Sequence, residues 1–533
     1  MNSFNRTLDS TPSYLLDPVL SSGELSTKQK EDLENQIRAW NFYKGYHWEE
    51  LPEQDKPEIT VNYCRKFVDK YVAFELGNSF TITVNKKLDE EVLTEDGETL
   101  LDYLNNVWVN NNQYDLTVEI GQMKAITARA WVQVRFEEPG EFEDPFGFYP
   151  KGRIRLLLHN SKTVFADYDE HDKTKLVKLT LMYYYDTYTS VGLTRRPTLT
   201  KVQYKQVWTK DSCVVTDNGV SKTYPNRYGI IPFVQIKNLS DADTTWGRGD
   251  LDDIIPLNME VNLKKSDISE IIEYHSAPIT IVYGAKIGSL EKGANKMWGG
   301  IPKDAKVQNL EMQSELGASR AYVDDTKEEM CQIASVPSQS LGGATAISNT
   351  SGVALQYINL PLIEQVKIKR QNTQSGIEAI NRLIILISEK EGLIEHPTAV
   401  TITTKEEDEV TGEIKETTET VPVSNKEFYT TEVRLPDTLP KDMLLELQQI
   451  QMEMKMGLED RRGALIRLKR EDPEARIKAI DKDRAEHPDV YGINPQMGEQ
   501  DPQLNSGFTN GQTPVEQVRQ EITGSNGMSS YCD

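Results

Sequence analysis

Few stretches of this sequence bring together residue types that could carry chemistry. Gly288 and Gly293 stand at the four-residue spacing of a phosphate-binding loop, whose backbone amides would cradle a nucleotide. Ala294 and Asn295 follow where Lys and Ser or Thr must reach the phosphates and magnesium, so no ATPase is expected from this motif. The adjacent carboxylates Asp252-Asp253 and Asp324-Asp325 are the residue type of a metal-dependent nuclease. Neighbours on a helix point in different directions, however, so each pair reads as exposed surface. Residues 167–175 gather acids around His171 but lack the glycine and closing glutamate of a calcium loop, and read as a hairpin turn. The six histidines form no HExxH motif and no recognisable nucleophile arrangement with Ser or Cys. Cys64, Cys213, Cys331 and Cys532 lack any paired metal-ligand spacing and read as free thiols. No catalytic residue, metal or cofactor is expected, and the chain reads as a non-enzyme.

Two stretches point to passage or contact instead. Between residues 277 and 310 five lysines, Lys286, Lys292, Lys296, Lys303 and Lys306, face two acids, Glu291 and Asp304, beside Trp298 in a Gly-rich run. The whole chain carries 60 Lys+Arg against 83 Asp+Glu, a net charge of −23, so this local excess of positive charge suits an acidic partner or DNA phosphate. Residues 335–352, in contrast, contain no charged side chain. Ser338, Gln339, Ser340, Thr345, Ser348, Asn349 and Thr350 give that loop a smooth polar surface. The overall acidity argues against a protein whose whole surface grips nucleic acid, and is compatible with one that lets it pass.

The elements that must position these stretches follow from periodicity. At 533 residues the chain expects two or more packed regions. After a polar arm at 1–25, helical spacing runs through Leu33, Ile37, Trp40 and Tyr43, opened by a capping box at Ser26 and Gln29, and again from Phe67 to Phe74 with Gly77 as cap. Short β-type runs fill about 120–240. Residues 250–276 predict a long helix with Leu257, Val261, Ile268 and Ile271 on one face, Lys264 at the missing position, and Pro256 opening or bending its first turn. A small mixed module at 277–310 and a second helix at about 312–334 complete an insertion, the second helix carrying Leu316, Tyr322 or Val323, Met330 and Ile333 as its apolar members. A helix over 353–390 is expected to kink or break at Pro361 and Gly376. An acidic hairpin around Thr411-Gly412, short helices after 440 and a polar tail at 491–533, expected to be disordered, end the chain. The strongest apolar run, Leu383 to Ile387, is far below the ~20 residues of a membrane span. With no basic-then-apolar leader at the start, synthesis in the host cytoplasm is expected.

This order resembles the SPP1-like portal proteins of tailed phages. WNFYKGYHW and PEITVNYCRKFVDKYVAFELGNSFTI are similar to the family's opening, and IIPFVQIKN with GRGDLDDIIPLNMEVNLKKSDISE is similar to its strand and the start of its stem helix. The resemblance covers about residues 30–485. It implies an α+β fold assembled as a ring: wing (26–249), first stem helix (250–276), clip (277–310), second stem helix (311–334), tunnel loop (335–352), long kinked helix (353–391), wing hairpin (392–439) and helical crown (440–490). It also implies a homo-oligomeric ring, usually a dodecamer, whose channel passes double-stranded DNA. Lys264, Lys265, Asp267 and Glu270 would line the stem, the polar residues of 338–350 the constriction, and the clip lysines with Trp298 would meet the terminase large subunit and later the head–tail adaptor. Major capsid and scaffolding proteins are the remaining implied partners, with the virion vertex as location and no membrane. The competing readings are another phage adaptor or baseplate protein and, further off, a DNA-processing enzyme.

Overall fold

Ser26 accepts a hydrogen bond from the Gln29 amide at 3.3 Å, and the Gln29 side chain accepts from the Ser26 amide at 3.0 Å. The expected capping box thus opens helix α1 (Thr27–Lys44). Gly45 closes it at φ 92°, a left-handed conformation that favours glycine. The computed structural model describes residues 18–48, 58–89, 91–190, 197–276, 280–283, 306–309, 316–342, 357–407, 414–436, 443–468 and 473–486. They fall into two compact units, within Met1–Pro440 and Lys441–Asp533.

In the first unit α1 is followed by α2 (Tyr63–Leu76), α3 (Leu100–Asn110) and α4 (Gln113–Thr127). Gly77 ends α2 at φ −63°, so the cap lies on the right-handed side. A three-stranded antiparallel sheet has β2 (Arg129–Glu137) between β3 (Arg153–His159) and β9 (Phe233–Lys237). Strands β4 (Val164–Tyr168), β5 (Leu176–Ser190), β6 (Pro197–Trp208), β7 (Ser212–Asp217) and β8 (Val220–Pro225) form a meander in sequence order. The acidic stretch around His171 is the β4–β5 turn, as expected. The β7–β8 turn is Asn218-Gly219, at φ 48° and 78°, the pair of left-handed residues a two-residue hairpin requires.

Three two-stranded ladders complete the β structure: β1 (Thr81–Thr83) with β14 (Glu432–Arg434), β10 (Thr280–Tyr283) with β11 (Lys306–Asn309), and β12 (Ala399–Glu407) with β13 (Ile414–Pro422). The remaining helices of this unit are α5 (Ile254–Ser276), α6 (Leu316–Ile333), α7 (Leu360–Lys390) and α8 (Asn425–Tyr429). The mixture of helix and sheet is the expected α+β class. No described helix is long and apolar enough to cross a membrane.

Helix α7 organises the largest core. Ile377, Ile380, Ile384 and Ile387 pack with Leu104 and Trp108 of α3 and with Val132 and Ile236 of the three-stranded sheet. The expected break is present at one of its two sites. Pro361 stands in the first turn of α7, where a missing N–H costs no intrahelical bond. Gly376 does not interrupt the helix, which runs on to Lys390. It serves close packing instead: a Cβ there would lie 2.6 Å from Ile236 Cγ1. A second core joins α2, α5, α6 and the start of α7 through Phe67, Val68, Val261, Val323, Met330 and Leu362.

The second unit contains α9 (Met443–Lys455), α10 (Arg461–Arg467) and α11 (Pro473–Glu486).

Candidate functional site: a two-helix excursion rooted on a buried ion-pair hub

The segment Trp246-Gly-Arg-Gly-Asp250 carries the chain from the sheet to α5 across the end of α4. Gly247, at φ 84°, has the Leu239 carbonyl oxygen 2.6 Å from where a Cβ would stand, so a side chain is excluded. The Asp250 amide donates to Ala125 O at 2.8 Å, which seats the Asp250 side chain in the interior. There Lys369 Nζ of α7 stands 2.7 Å from Asp250 Oδ1, with the side chains 0% and 1% exposed, and Asn238 Nδ2 donates to the same oxygen at 2.8 Å. The Lys369 ammonium also lies 3.5 Å from the centre of the Tyr71 ring.

Tyr71 in turn donates its hydroxyl to the Ala334 carbonyl, just past the end of α6. Burial pushes the Tyr71 phenol upward in pKa, so it remains protonated and a donor. A second buried pair, Lys124 with Glu75, sits in the same interior, and Thr373 Oγ1 donates to Glu75 Oε1 at 2.7 Å. Burial pushes the Lys124 ammonium below its usual range, and the Glu75 carboxylate opposes that shift. The excursion therefore leaves the body at Asp250 and returns at Ala334, and both points are tied to one hub built from α2, α4 and α7.

Helix α5 is held by polar groups as well as apolar ones. Asn258, Asn262 and Ser266 recur every four residues of α5, share one face, and are all buried. They pair with the extended backbone that precedes α2. Ile59 N donates to Ser266 Oγ at 3.0 Å, Val61 N to Asn262 Oδ1 at 2.9 Å, and Tyr63 N and Cys64 N to Asn258 Oδ1 at 3.0 and 3.1 Å. Asn258 Nδ2 returns a bond to Val61 O at 2.8 Å. The ladder satisfies buried backbone groups that no strand partner serves.

His47 joins this ladder at its middle rung, Asn262. Its Nε2–H donates to Phe42 O at 2.9 Å, and Nδ1 accepts from Asn262 Nδ2 at 2.6 Å. Only the neutral ring fits, because a proton on Nδ1 would face the Asn262 amide nitrogen, donor to donor. Burial lowers the His47 pKa, and burial likewise pushes His159 down to about 4. Both rings are neutral in the fold while the unfolded chain takes up protons near the ordinary histidine value. Their contribution is thus complete above about pH 6.5 and is lost as pH falls through the lowered folded values. The melting temperature is expected to fall between about pH 7 and pH 5, and the slope should flatten in His47→Gln/His159→Gln. An unchanged slope in that variant would contradict the neutral assignment.

The structure places the candidate channel residues unevenly. Lys264 is partly exposed on α5, 3.3 Å from Asp267 and 4.0 Å from Glu260, while Lys265 and Glu270 are also partly exposed on that helix. Asp324 pairs with Lys327 at 2.6 Å and is held below the usual carboxylate range by that bond, with the Lys265 charge contributing. Of the α5 face read as apolar, Val261 is buried, and Leu257, Ile268 and Ile271 are half-buried. On α6, Val323 and Met330 point inward, whereas Tyr322 and the expected core residue Ile333 are exposed.

Ser338, Gln339 and Ser340 lie in a short 3-10 turn, Ser338–Leu341, and Ser340 Oγ donates to Asn359 Oδ1 beside the start of α7. Ser340 is thereby joined to the residue that precedes α7. Thr345, Ser348, Asn349 and Thr350 lie outside the described residues. Between residues 277 and 310, Lys306 is exposed and pairs in register with Tyr283, and Lys286, Lys292, Lys296, Trp298 and Lys303 lie outside the described residues. Of the paired carboxylates, Asp252 accepts from the Gly249 amide at 3.0 Å, and Asp253 pairs with Arg248.

Comparison with known families sets the chain among the portal proteins of phages. It matches the family model described as phage portal protein, SPP1 Gp6-like, over residues 23–488, and it belongs to that family. Among solved structures, it is similar to a chain of the "Virion of native gene transfer agent (GTA) particle", 10% identical, with a TM-score of 0.40 over 81% of this chain and 92% of that one. No curated protein matches it.

Proposed function

We propose that this portal protein assembles as a ring, with a dodecamer the favoured number, and that α5 and α6 of each subunit form the wall of a channel for double-stranded DNA. In this reading residues 277–310 are the clip that meets terminase and later the head–tail adaptor, 335–352 the constriction, and 440–490 the crown. Major capsid and scaffolding proteins contact the same ring at the vertex, and DNA is moved by the ATP-driven terminase. The observation that carries the reading is the rooting of the excursion: a helix leaves and a helix returns at one buried hub, as a projecting stem requires.

Charge supports the same reading. Helices α5 and α6 carry eight acidic and four basic side chains, and Lys264 is engaged by acids of its own helix. A ring multiplies that excess, so the wall repels phosphate and DNA slides without being held. Asp267→Lys/Glu270→Lys should convert the wall to one that retains DNA. By gel shift at low salt the purified variant is expected to bind duplex DNA at least about tenfold tighter than wild type, with affinity falling steeply as salt rises. Equal binding by both proteins would contradict an acidic sliding wall.

A further inference from the structure

We infer that the hub beneath α5 holds one structural water, bound by Asn238, Asp250 and Lys369, and that this water joins the end of β9, the entry to α5 and helix α7. Three polar atoms of the hub are buried without a hydrogen-bond partner in the protein: Asn238 Oδ1, Asp250 Oδ2 and Lys369 Nζ. Asn238 is 0% exposed, and the Asp250 and Lys369 side chains are 1% and 0% exposed, so bulk solvent does not reach them. Buried polar atoms in folded proteins are nearly always partnered, by the protein or by an ordered water.

The protein has no further group to offer these atoms, because the rest of each residue is engaged. The Asn238 amide donates to Ala128 O at 2.8 Å, and its carbonyl accepts from Asn372 Nδ2 at 2.9 Å. Asn238 Nδ2 donates to Arg248 O at 3.2 Å and to Asp250 Oδ1 at 2.8 Å. Those two acceptors fix the amide's orientation, since the reverse one would set oxygen against oxygen. Lys369 Nζ stands 2.7 Å from Asp250 Oδ1 and 3.5 Å from the centre of the Tyr71 ring, an ion pair and a cation–π contact without hydrogen-bond geometry. The Tyr71 hydroxyl is spent on Ala334 O. Lys369 and Asn238 both meet the same oxygen of Asp250, so the three orphaned atoms gather around one carboxylate.

Their chemistry identifies the ligand. Two are acceptors and one is a cationic donor. A metal ion would stand beside an ammonium that already neutralises the carboxylate, and an anion would face that carboxylate in a dry interior. Water fits both demands: it accepts from Lys369 Nζ and donates to Asp250 Oδ2 and Asn238 Oδ1, and three bonds are the usual number for an enclosed water. No direct bond joins the Asn238 amide oxygen to α7, so the water supplies that link.

A density map of the full-length protein, at a resolution that shows ordered water, tests this. The site lies within one subunit, so the result reads alike in any assembly. One peak within about 3.2 Å of all three atoms is expected. The three atoms packed against protein with no peak between them would overturn the proposal. So would a peak ringed by oxygens at about 2.3–2.6 Å, which marks a metal ion. In Lys369→Arg the guanidinium fork can pair with both carboxylate oxygens and take the water's place, so the peak should vanish. A peak that persists beside a bidentate guanidinium would also overturn the assignment.

Discussion

Lys369→Met is expected to cost the body about 3–5 kcal/mol of stability, because it leaves the Asp250 carboxylate buried without its cation. The substitution keeps most of the apolar stem, so the loss comes from the charge. Both side chains are fully buried, the ammonium also lies against Tyr71, and solvent cannot enter to replace it. The companion measurement separates charge from packing. Lys369→Met/Asp250→Asn removes both charges, leaves Asn238 an acceptor at position 250, and should recover most of the loss. Denaturant unfolding of the two variants checks this, and a double variant no better than the single one would show that the pair is not the source. Because Asp250 precedes α5 and Tyr71 holds the end of α6, the single variant should also loosen both helices, read as faster amide exchange along 254–276 and 316–333.

The second large effect is expected at Asn258. Asn258→Leu leaves Cys64 N without its partner and reduces Tyr63 N and Val61 O to the 3.2 Å bond they share with each other. A buried backbone group left unpaired costs about 1–3 kcal/mol, so a loss on the order of 2 kcal/mol is expected. Asn258→Asp keeps the acceptor and loses only the bond to Val61 O, and should fall between leucine and wild type. A leucine variant as stable as wild type would show that apolar packing, and not the polar ladder, holds α5 to the segment before α2.

These residues show where reading a sequence by pattern stops. The capping box at Ser26 and Gln29 and the β4–β5 turn are legible because each is set by neighbours in the chain. The sequence reading passes over the helices α3 and α4 and the strands β7 and β8, although Asn218-Gly219 is a local hairpin signal. On α5 the apolar pattern points to Leu257, Val261, Ile268 and Ile271, of which Val261 is buried and the others half-buried, while the polar Asn258 and Asn262 are fully buried. The four-residue spacing of Asn258, Asn262 and Ser266 was visible, but polar side chains at such spacing read as solvent-facing until a partner backbone is known. The hub was still less accessible. Asp250, Lys369, Glu75 and Lys124 are ordinary surface types in the sequence, and only the meeting of α2, α4 and α7 makes them interior pairs. Gly376 misled for the opposite reason: the sequence shows a helix breaker, and the fold uses it to bring α7 against Ile236.

The central claim is that the excursion from Asp250 to Ala334 becomes the wall of a ring. Electron microscopy of the purified full-length chain, viewed down the particle axis, tests it most directly. A closed ring of about twelve subunits, with a central opening and the α5–α6 pairs around it, is the expected result. A stable monomer, or a closed assembly whose centre is not lined by α5 and α6, would contradict it.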